Sequence, residues 1–556
     1  MTRHLVVAFV GIALIFFILF QLASSLSTIE VPAQGGTYSE GVLGYSDAIS
    51  PILLTQDTLV DRDLCSLVFN GLTALDDTGR LLPVLATEWQ VSADGTVYDF
   101  ELRRGVIWHD GLPFTAADVA FTIQAIQDPN YQGDPALQQL WQNVTVETQG
   151  DYAVRFVLPE PFIPFIYYTT IGVLPAHLLS DVLPADLPTS EFSTQHPIGT
   201  GMFRIENVSP DRVTLVANPD FWGPHPYLQK LEIWSFGDWD SMLAAYKRGD
   251  IQGIYRVSPQ YLAELSQLPD MQLYSAQQAG YGLIYLNLQR EEKPFFQDKN
   301  VRQALLYALD RQALVDDVMH GQGIVADSPI PPTGWAYDPS VRHYPFDPEA
   351  AMILLDSAGW SDTNGDRIRD KDGIEMAFTL FTSDDTLMIA MAEAIAQSWR
   401  VIGVDAGVQP QGAGLVPNFL QSSPRNFDAV LIEVGLAADP DPYPWWHSTQ
   451  AGEGGQNFSG FSNLEADVAI EQARAITDQQ QRTELYRTFQ EIFAEEVPSL
   501  LIYYPIYTYA VDLQVQGVQL SPVLVNSDRF RNIDDWYVKT QQIVVTEKPP
   551  LDKTQE

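Results

Sequence analysis

Positive charge and sulfur are both scarce in this chain. Lys and Arg total 31 against 71 Asp and Glu in 556 residues, a formal net charge of -40. Such a chain repels phosphate backbones and anionic headgroups, which argues against nucleic acid as a partner. The one cysteine, Cys65, leaves no internal disulfide, no CxxC redox pair and no multi-cysteine metal cluster. No His is followed by Glu, so an HExxH zinc site is missing, as are a GxSxG nucleophile elbow and a GK[ST] phosphate loop. Gly199-Thr200-Gly201 starts like a dinucleotide loop, lacks the third glycine and reads as a turn. The eight histidines are scattered singly. Nothing in this supports an enzyme, and neither a cofactor nor a catalytic metal is expected.

Long apolar runs are also scarce: Leu5–Phe20 has no second of its kind. It follows Arg3 and would span about 24 Å as a helix, against a hydrocarbon core of ~30 Å. Ala23-Ser24-Ser25 offers small residues for cleavage. Residues 1–27 therefore read either as a cleaved signal peptide or as an uncleaved membrane anchor, and both place the bulk of the chain outside the cytoplasmic membrane. No cysteine follows the run, which excludes a lipoprotein anchor.

What remains has the make-up of a folded protein, with 46% hydrophobic, 11% aromatic and 18% charged residues. Residues 28–36 read as a tether, and the polar, Pro-bearing end from 545 to 556 as a disordered tail. Between them helices and strands alternate irregularly, as in α/β or mixed folds. Thr96–Leu102 alternates Tyr98, Phe100 and Leu102 against polar neighbours, a half-buried strand, and Val106-Ile107-Trp108 is expected to form a second short one. Thr115-x-x-Asp118 predicts a capping box. Asn300 is expected to cap a helix carrying Val301, Ala304, Leu305, Ala308 and Leu309, and Leu485, Phe489, Ile492 and Phe493 line another that ends before Pro498. Leu500–Tyr509 is β-prone around Pro505 and suits a strand crossing between lobes.

Several segments together carry a specific signal. Pro83-Val84-Leu85-Ala86-Thr87-Glu88-Trp89, then Ser92-Ala93-Asp94-Gly95, then Trp108-His109-Asp110-Gly111-Leu112-Pro113-Phe114-Thr115-Ala116-Ala117-Asp118-Val119 follow one another. Pro197–Gly201, Asn218–Gly223, Asn300–Arg311 and Ser328–Pro332 come after them. This order closely resembles the extracellular solute-binding proteins of ABC importers, in their oligopeptide, dipeptide and nickel class, over about residues 35–540. The resemblance implies an α/β, two-lobed periplasmic-binding-protein-like fold, with hinge strands and an extra α+β subdomain inserted in the first lobe. The implied parts are 37–80, 198–285 and 504–544 for lobe I, 81–197 for the insert and 286–503 for lobe II. A monomer that captures a small ligand, a peptide or another, cationic solute, in an inter-lobe cleft and passes it to ABC permease subunits and their ATPase is the function it implies. A membrane-anchored ligand-sensing ectodomain is the alternative.

The candidate ligand-binding residues are Asp439, Asp441, Trp445, Trp446, Glu433, Trp335 and Tyr281. Val434–Tyr443 resembles the family's strand-to-loop segment whose Asp pairs with a peptide's α-ammonium, and residue by residue that Asp falls on Asp439, with Asp441 next. Glu433 stands near where some oligopeptide-binding relatives place a basic residue; a carboxylate there repels a peptide carboxylate and favours a cationic or neutral ligand. Trp335, Trp445, Trp446 and Tyr281 are the aromatics expected at the cleft. His109 and Asp110 look chemical but are expected to serve a structural turn. Asp362–Gly373 starts like a calcium loop, yet Gly373 replaces the bidentate Glu and Arg367 the glycine, so an Asx-rich turn is expected.

Overall fold

Val, Ile, Tyr and Leu crowd the segment Ser499–Asp512, and it forms a single strand of 14 residues. The computed structural model describes residues 27–545, apart from 56–57, 413–419 and 423–424, together with Ile15. The two readings of the N-terminus, and all but the first residue of the expected tail, lie outside the described residues. Among the described residues no helix is long and apolar enough to cross a membrane.

The long strand belongs to both lobes. Its first part pairs antiparallel with Gly280–Leu286 and Gly323–Val325, and its second with Met271–Gln277 and Gly253–Ile254. Pro505 stands at the change of partner, where a residue without an N–H costs the ladder least. The expected crossing strand is thus present, unbroken by its proline.

In the second lobe Gly280–Leu286 pairs with Ala429–Gly435, which runs parallel to Ala377–Ser383; that strand in turn pairs in parallel with Asp405–Gln411. The helix Thr386–Val401 links the last two as a crossover, and Trp399 of this helix is buried with Phe378 and Leu380. Helices Leu464–Ala475 and Gln479–Glu496 bury Phe489 and Phe493 in a separate cluster with Trp446 and Tyr285. The first lobe is built on Thr37–Leu43, parallel to Lys230–Phe236, with Arg212–Ala217 and Phe203–Ser209 beyond. The insert has its own four-stranded antiparallel sheet, spanning Ala86–Val91, Val97–Leu102, Ala153–Val157 and Thr145–Thr148. The expected alternation holds, with Tyr98, Phe100 and Leu102 all buried.

Local features differ from expectation in three places. Asp298, not Asn300, caps Lys299–Tyr307, accepting from the Asn300 amide at 2.9 Å, because the helix begins one residue before Asn300. Val106-Ile107-Trp108 makes only an isolated bridge, Ile107 to Pro113, since the chain turns back at once through Gly111. Part of the expected tether is ordered: Ser27–Pro32 pairs antiparallel with Thr540–Val545. The Thr115–Asp118 capping box is present. In Asp362–Gly373 the carboxylates accept from their own loop. Asp362 takes the Gly365 and Arg367 amides at 2.6 and 3.0 Å, and Asp370 the Thr363 amide at 2.8 Å, as in Asx turns.

Two polar clusters fasten the first lobe. Arg529 is fully buried, with Nε and Nη2 on Glu40 and Nη1 and Nη2 on Asp63, at 2.5 to 2.9 Å. Tyr38 donates to the other Glu40 oxygen at 2.8 Å. One guanidinium thereby ties the strand Thr37–Leu43, the helix Leu59–Val68 and the C-terminal turn Asn526–Phe530 together. His109 staples insert to lobe: its Nδ1 accepts from the Gly199 amide at 3.2 Å, so Nε2 carries the proton donated to the Gly201 carbonyl at 3.0 Å. Burial pushes its pKa down to about 4, the Gly201 carbonyl opposing. His109 is therefore the structural residue expected.

Removing the Arg529 guanidinium leaves two carboxylates buried without a counter-charge. Arg529→Met is expected to cost about 3–5 kcal/mol in urea denaturation; a loss under about 1 kcal/mol would mean that the cluster is dispensable. The depressed His109 pKa means that the unfolded chain binds the proton more readily. Its contribution is complete above the unfolded value near 6.5 and is lost as pH falls toward 4, a swing of up to about 3 kcal/mol. Wild-type stability measured against His109→Gln should therefore fall between pH 7 and pH 4; a difference independent of pH would refute the assignment.

Candidate functional site

Between the lobes, beside the hinge strands, lies a cavity of about 2260 Å³. Small-molecule sites usually measure ~300–1,000 Å³, so this one admits a larger guest. The first lobe supplies the helix Leu59–Val68 and the turn after Thr73–Leu75, the insert supplies Ile163–Thr170, and the second lobe closes the far side with residues 435–446.

That loop is placed by the strand Ala429–Gly435, and the Leu436 amide reaches the Ala279 carbonyl at 3.1 Å to anchor its start. Pro440, Pro442 and Pro444 limit its freedom, and Tyr443–Trp446 ends it as one helical turn. Asp439 and Asp441 both sit on the cavity wall. Asp439 is buried, and its two oxygens accept from Arg482 Nη2 at 2.8 and 2.9 Å. Burial raises its pKa to about 6 while Arg482 pulls it down. Asp441 pairs with Arg474 Nε at 3.0 Å and accepts from the Tyr443 amide at 3.1 Å; burial again raises its pKa, against the pull of Arg474. The charge expected to await a ligand ammonium at Asp439 is thus already met from within the protein, and two carboxylates and two guanidiniums balance.

The aromatic candidates separate. Trp335 and Trp445 are half-buried on the wall. The Arg482 guanidinium lies over the Trp335 ring, 5.0 Å from its centroid. Tyr281 and Trp446 reach the wall but belong to the core, Trp446 meeting Phe493 edge-on at 4.7 Å. Glu433 is not brought to the cavity. Strand alternation puts Tyr281 and its partner Val434 on one face, and Gly282, Glu433 and Tyr503 on the other. There Glu433 accepts from Tyr503 at 3.1 Å and faces Arg256 of the first lobe at 3.5 Å, so its expected role toward a ligand carboxylate has no geometric basis.

Sequence reasoning missed Arg474, Arg482 and Phe162. Arg474 reaches across the opening, its guanidinium 4.0 Å from the Tyr443 ring and 4.6 Å from Phe162 of the insert. A signal for Arg482 exists: it falls on the buried stripe of its helix with Tyr486, Phe489 and Phe493, where a cation requires a partner. Nothing local marks that partner as Asp439.

Comparisons with known proteins agree on the kind of molecule. The sequence model of the bacterial extracellular solute-binding proteins, family 5, matches residues 80–456. The oligopeptide-binding protein AppA of Bacillus subtilis is 30% identical over 525 residues, covering 93% of this chain and 94% of that protein. Its structure in complex with a nonapeptide superposes with a TM-score of 0.75 at 29% identity, over 92% of this chain and 100% of that one. NikZ of Campylobacter jejuni in complex with Ni(L-His) gives 0.76 at 28% identity, over 90% and 99%.

Asp439→Asn strips the counter-charge from a buried guanidinium. The unliganded variant is expected to lose about 3 kcal/mol in urea denaturation at pH 7.5. An unchanged midpoint would mean that the Asp439–Arg482 pair does not carry the fold.

Proposed function

Because this chain belongs to the bacterial extracellular solute-binding proteins, family 5, we propose that the solute it takes up is a peptide, met at its ammonium end by the loop bearing Asp439 and Asp441. As a member of that family it works outside the cytoplasm, captures a ligand between its two lobes and delivers it to the permease and ATPase of an ABC importer. It acts by binding and lobe closure, without covalent chemistry, as a monomer. Leu5–Phe20 exports it and, if retained, holds it at the outer face of the membrane.

One observation carries the peptide reading: a cavity of about 2260 Å³ walled by both lobes and the insert, with two carboxylates set beside Trp335 and Trp445 on its wall. A carboxylate offers about four lone-pair sites. Arg482 uses one on each Asp439 oxygen and the Asp441 backbone amide one more, which leaves a site for an ammonium. The names of the relatives support the same reading, since AppA is described with a nonapeptide and as oligopeptide-binding.

Mass spectrometry of ligand released from the purified protein should find peptides, and small-angle scattering should show a smaller radius when such a peptide is saturating. Blocking the ligand's amine by acetylation should weaken binding by about 30-fold or more in calorimetry. Recovery of only a metal chelate or a sugar would overturn the peptide reading; equal affinity for acetylated and free peptides would remove the ammonium from the Asp439–Asp441 loop.

A further inference from the structure

We propose that Arg62 is a ligand-carboxylate anchor of this cavity, on the first lobe, opposite the Asp439–Asp441 loop of the second. The inference rests on the peptide reading above and adds to it the other end of the ligand.

The first turns of the helix Leu59–Val68 place Arg62 on the cavity wall. Its Nη2 donates to the Thr55 carbonyl at 2.8 Å. A guanidinium has five N–H donors in a flat fork, so most of its hydrogen-bonding capacity is left over among the described residues. Among the described residues no carboxylate forms an ion pair with it, and the surrounding acids are engaged elsewhere. Asp63 is held by Arg529 at 2.6 and 2.9 Å. Asp528 pairs with Arg531 at 3.1 Å and accepts from the Leu524 amide at 2.7 Å. Asp134 caps its own helix, taking the Ala136 amide at 2.9 Å.

The other two guanidiniums on the wall show what a satisfied one looks like here. Arg474 has Asp441 and two aromatic rings, and Arg531 has Asp528. Arg62 has, among the described residues, the Thr55 carbonyl alone. It is half-buried, and desolvation pulls its pKa below the usual guanidinium value, with Asp63, Cys65, Asp528 and Asp134 opposing only through space. A partly desolvated cation on a cavity wall is stabilised by an anion brought to it, and a planar fork matches a carboxylate in bidentate fashion. A ligand whose ammonium lies at the second lobe and whose carboxylate lies at the first contacts both lobes with opposite charges. Each contact then favours the closed arrangement, which is what couples binding to closure.

The test uses calorimetry on the purified protein with synthetic pentapeptides and nonapeptides of Gly, Ser and Ala. Each is made as the free acid, as the C-terminal amide, and as the amide carrying one internal Glu. Wild type should bind the free acid about 30-fold more tightly than the amide, and Arg62→Gln should shrink that preference to within about 3-fold. Arg62→Lys keeps the charge and should restore part of it, which separates loss of the anchor from loss of the fold. If the Glu-bearing amide recovers affinity in wild type and not in Arg62→Gln, the carboxylate comes from a side chain and the anchor stands. A preference for the free acid that survives in Arg62→Gln, or equal binding of acid and amide by wild type, overturns the assignment and leaves the peptide reading intact. Binding of none of these peptides overturns the peptide reading and this inference with it.

Discussion

A strand that is hydrogen-bonded in two lobes cannot slide in one without the other. Ser499–Asp512 is such a strand, and its pairing leaves bending and twisting near Pro505 as the motions open to the molecule. The segments joining Met271–Gln277 to Gly280–Leu286 run alongside it, so relative motion of the lobes is confined to a hinge. Contacts lie on both sides of that hinge. Arg256 and Tyr503 hold Glu433 on the face away from the cavity, and Arg474 meets Phe162 across its mouth. Opening the cleft has to part the second contact while it strains or relaxes the first. The two-lobed architecture expected from the resemblance thus has a mechanical core that named residues define.

Scarcity of cations shapes the interior. Of a small stock of arginines, several are buried, and each of these is met by backbone or carboxylate. Arg302 donates to the Phe296, Gln297, Glu496 and Val497 carbonyls and so closes the C-terminus of the helix Gln479–Glu496, where Val497 takes a left-handed conformation. Arg311 reaches the Leu501 and Tyr344 carbonyls and Asp327. Arg529 and Arg482 serve carboxylate partners. Guanidinium suits these places because its fork satisfies several acceptors at once and stays charged when desolvated. The surplus of acids is left largely to the surface, where hydration makes it tolerable and where it keeps the chain soluble.

Much of the fold was legible because its signals are local. The alternation of Tyr98, Phe100 and Leu102, the Thr115–Asp118 box, the helix that stops before Pro498 and the β-prone run through Pro505 depend on neighbours a few residues apart. The signature around Pro83–Val119 then joined those pieces into one architecture. The site was legible only in part. Asp439 and Asp441 were found through their loop, but their partners Arg482 and Arg474 stand 43 and 33 residues away in sequence on other helices, and no periodicity links a loop carboxylate to them. Glu433 was misplaced for a simpler reason. The face it points to depends on strand register, and a shift by one residue reverses it. The cap of Lys299–Tyr307 went astray by two positions, within the ordinary uncertainty of helix ends.

Ser27–Pro32 and Thr540–Val545 make a two-stranded ribbon of their own. Because the pairing is antiparallel, Ser27 and Val545, the two ends of the described body, lie side by side, about 5 Å apart. The topology is therefore nearly that of a closed loop, with both lobes strung on it. Joining the two ends by a short linker would ask little of the backbone, and new ends could be opened at a surface turn elsewhere, a circular permutation that relocates the point of attachment without touching the cleft. A partner domain joined directly after Val545 would, by the same geometry, sit beside Ser27 and away from the cleft.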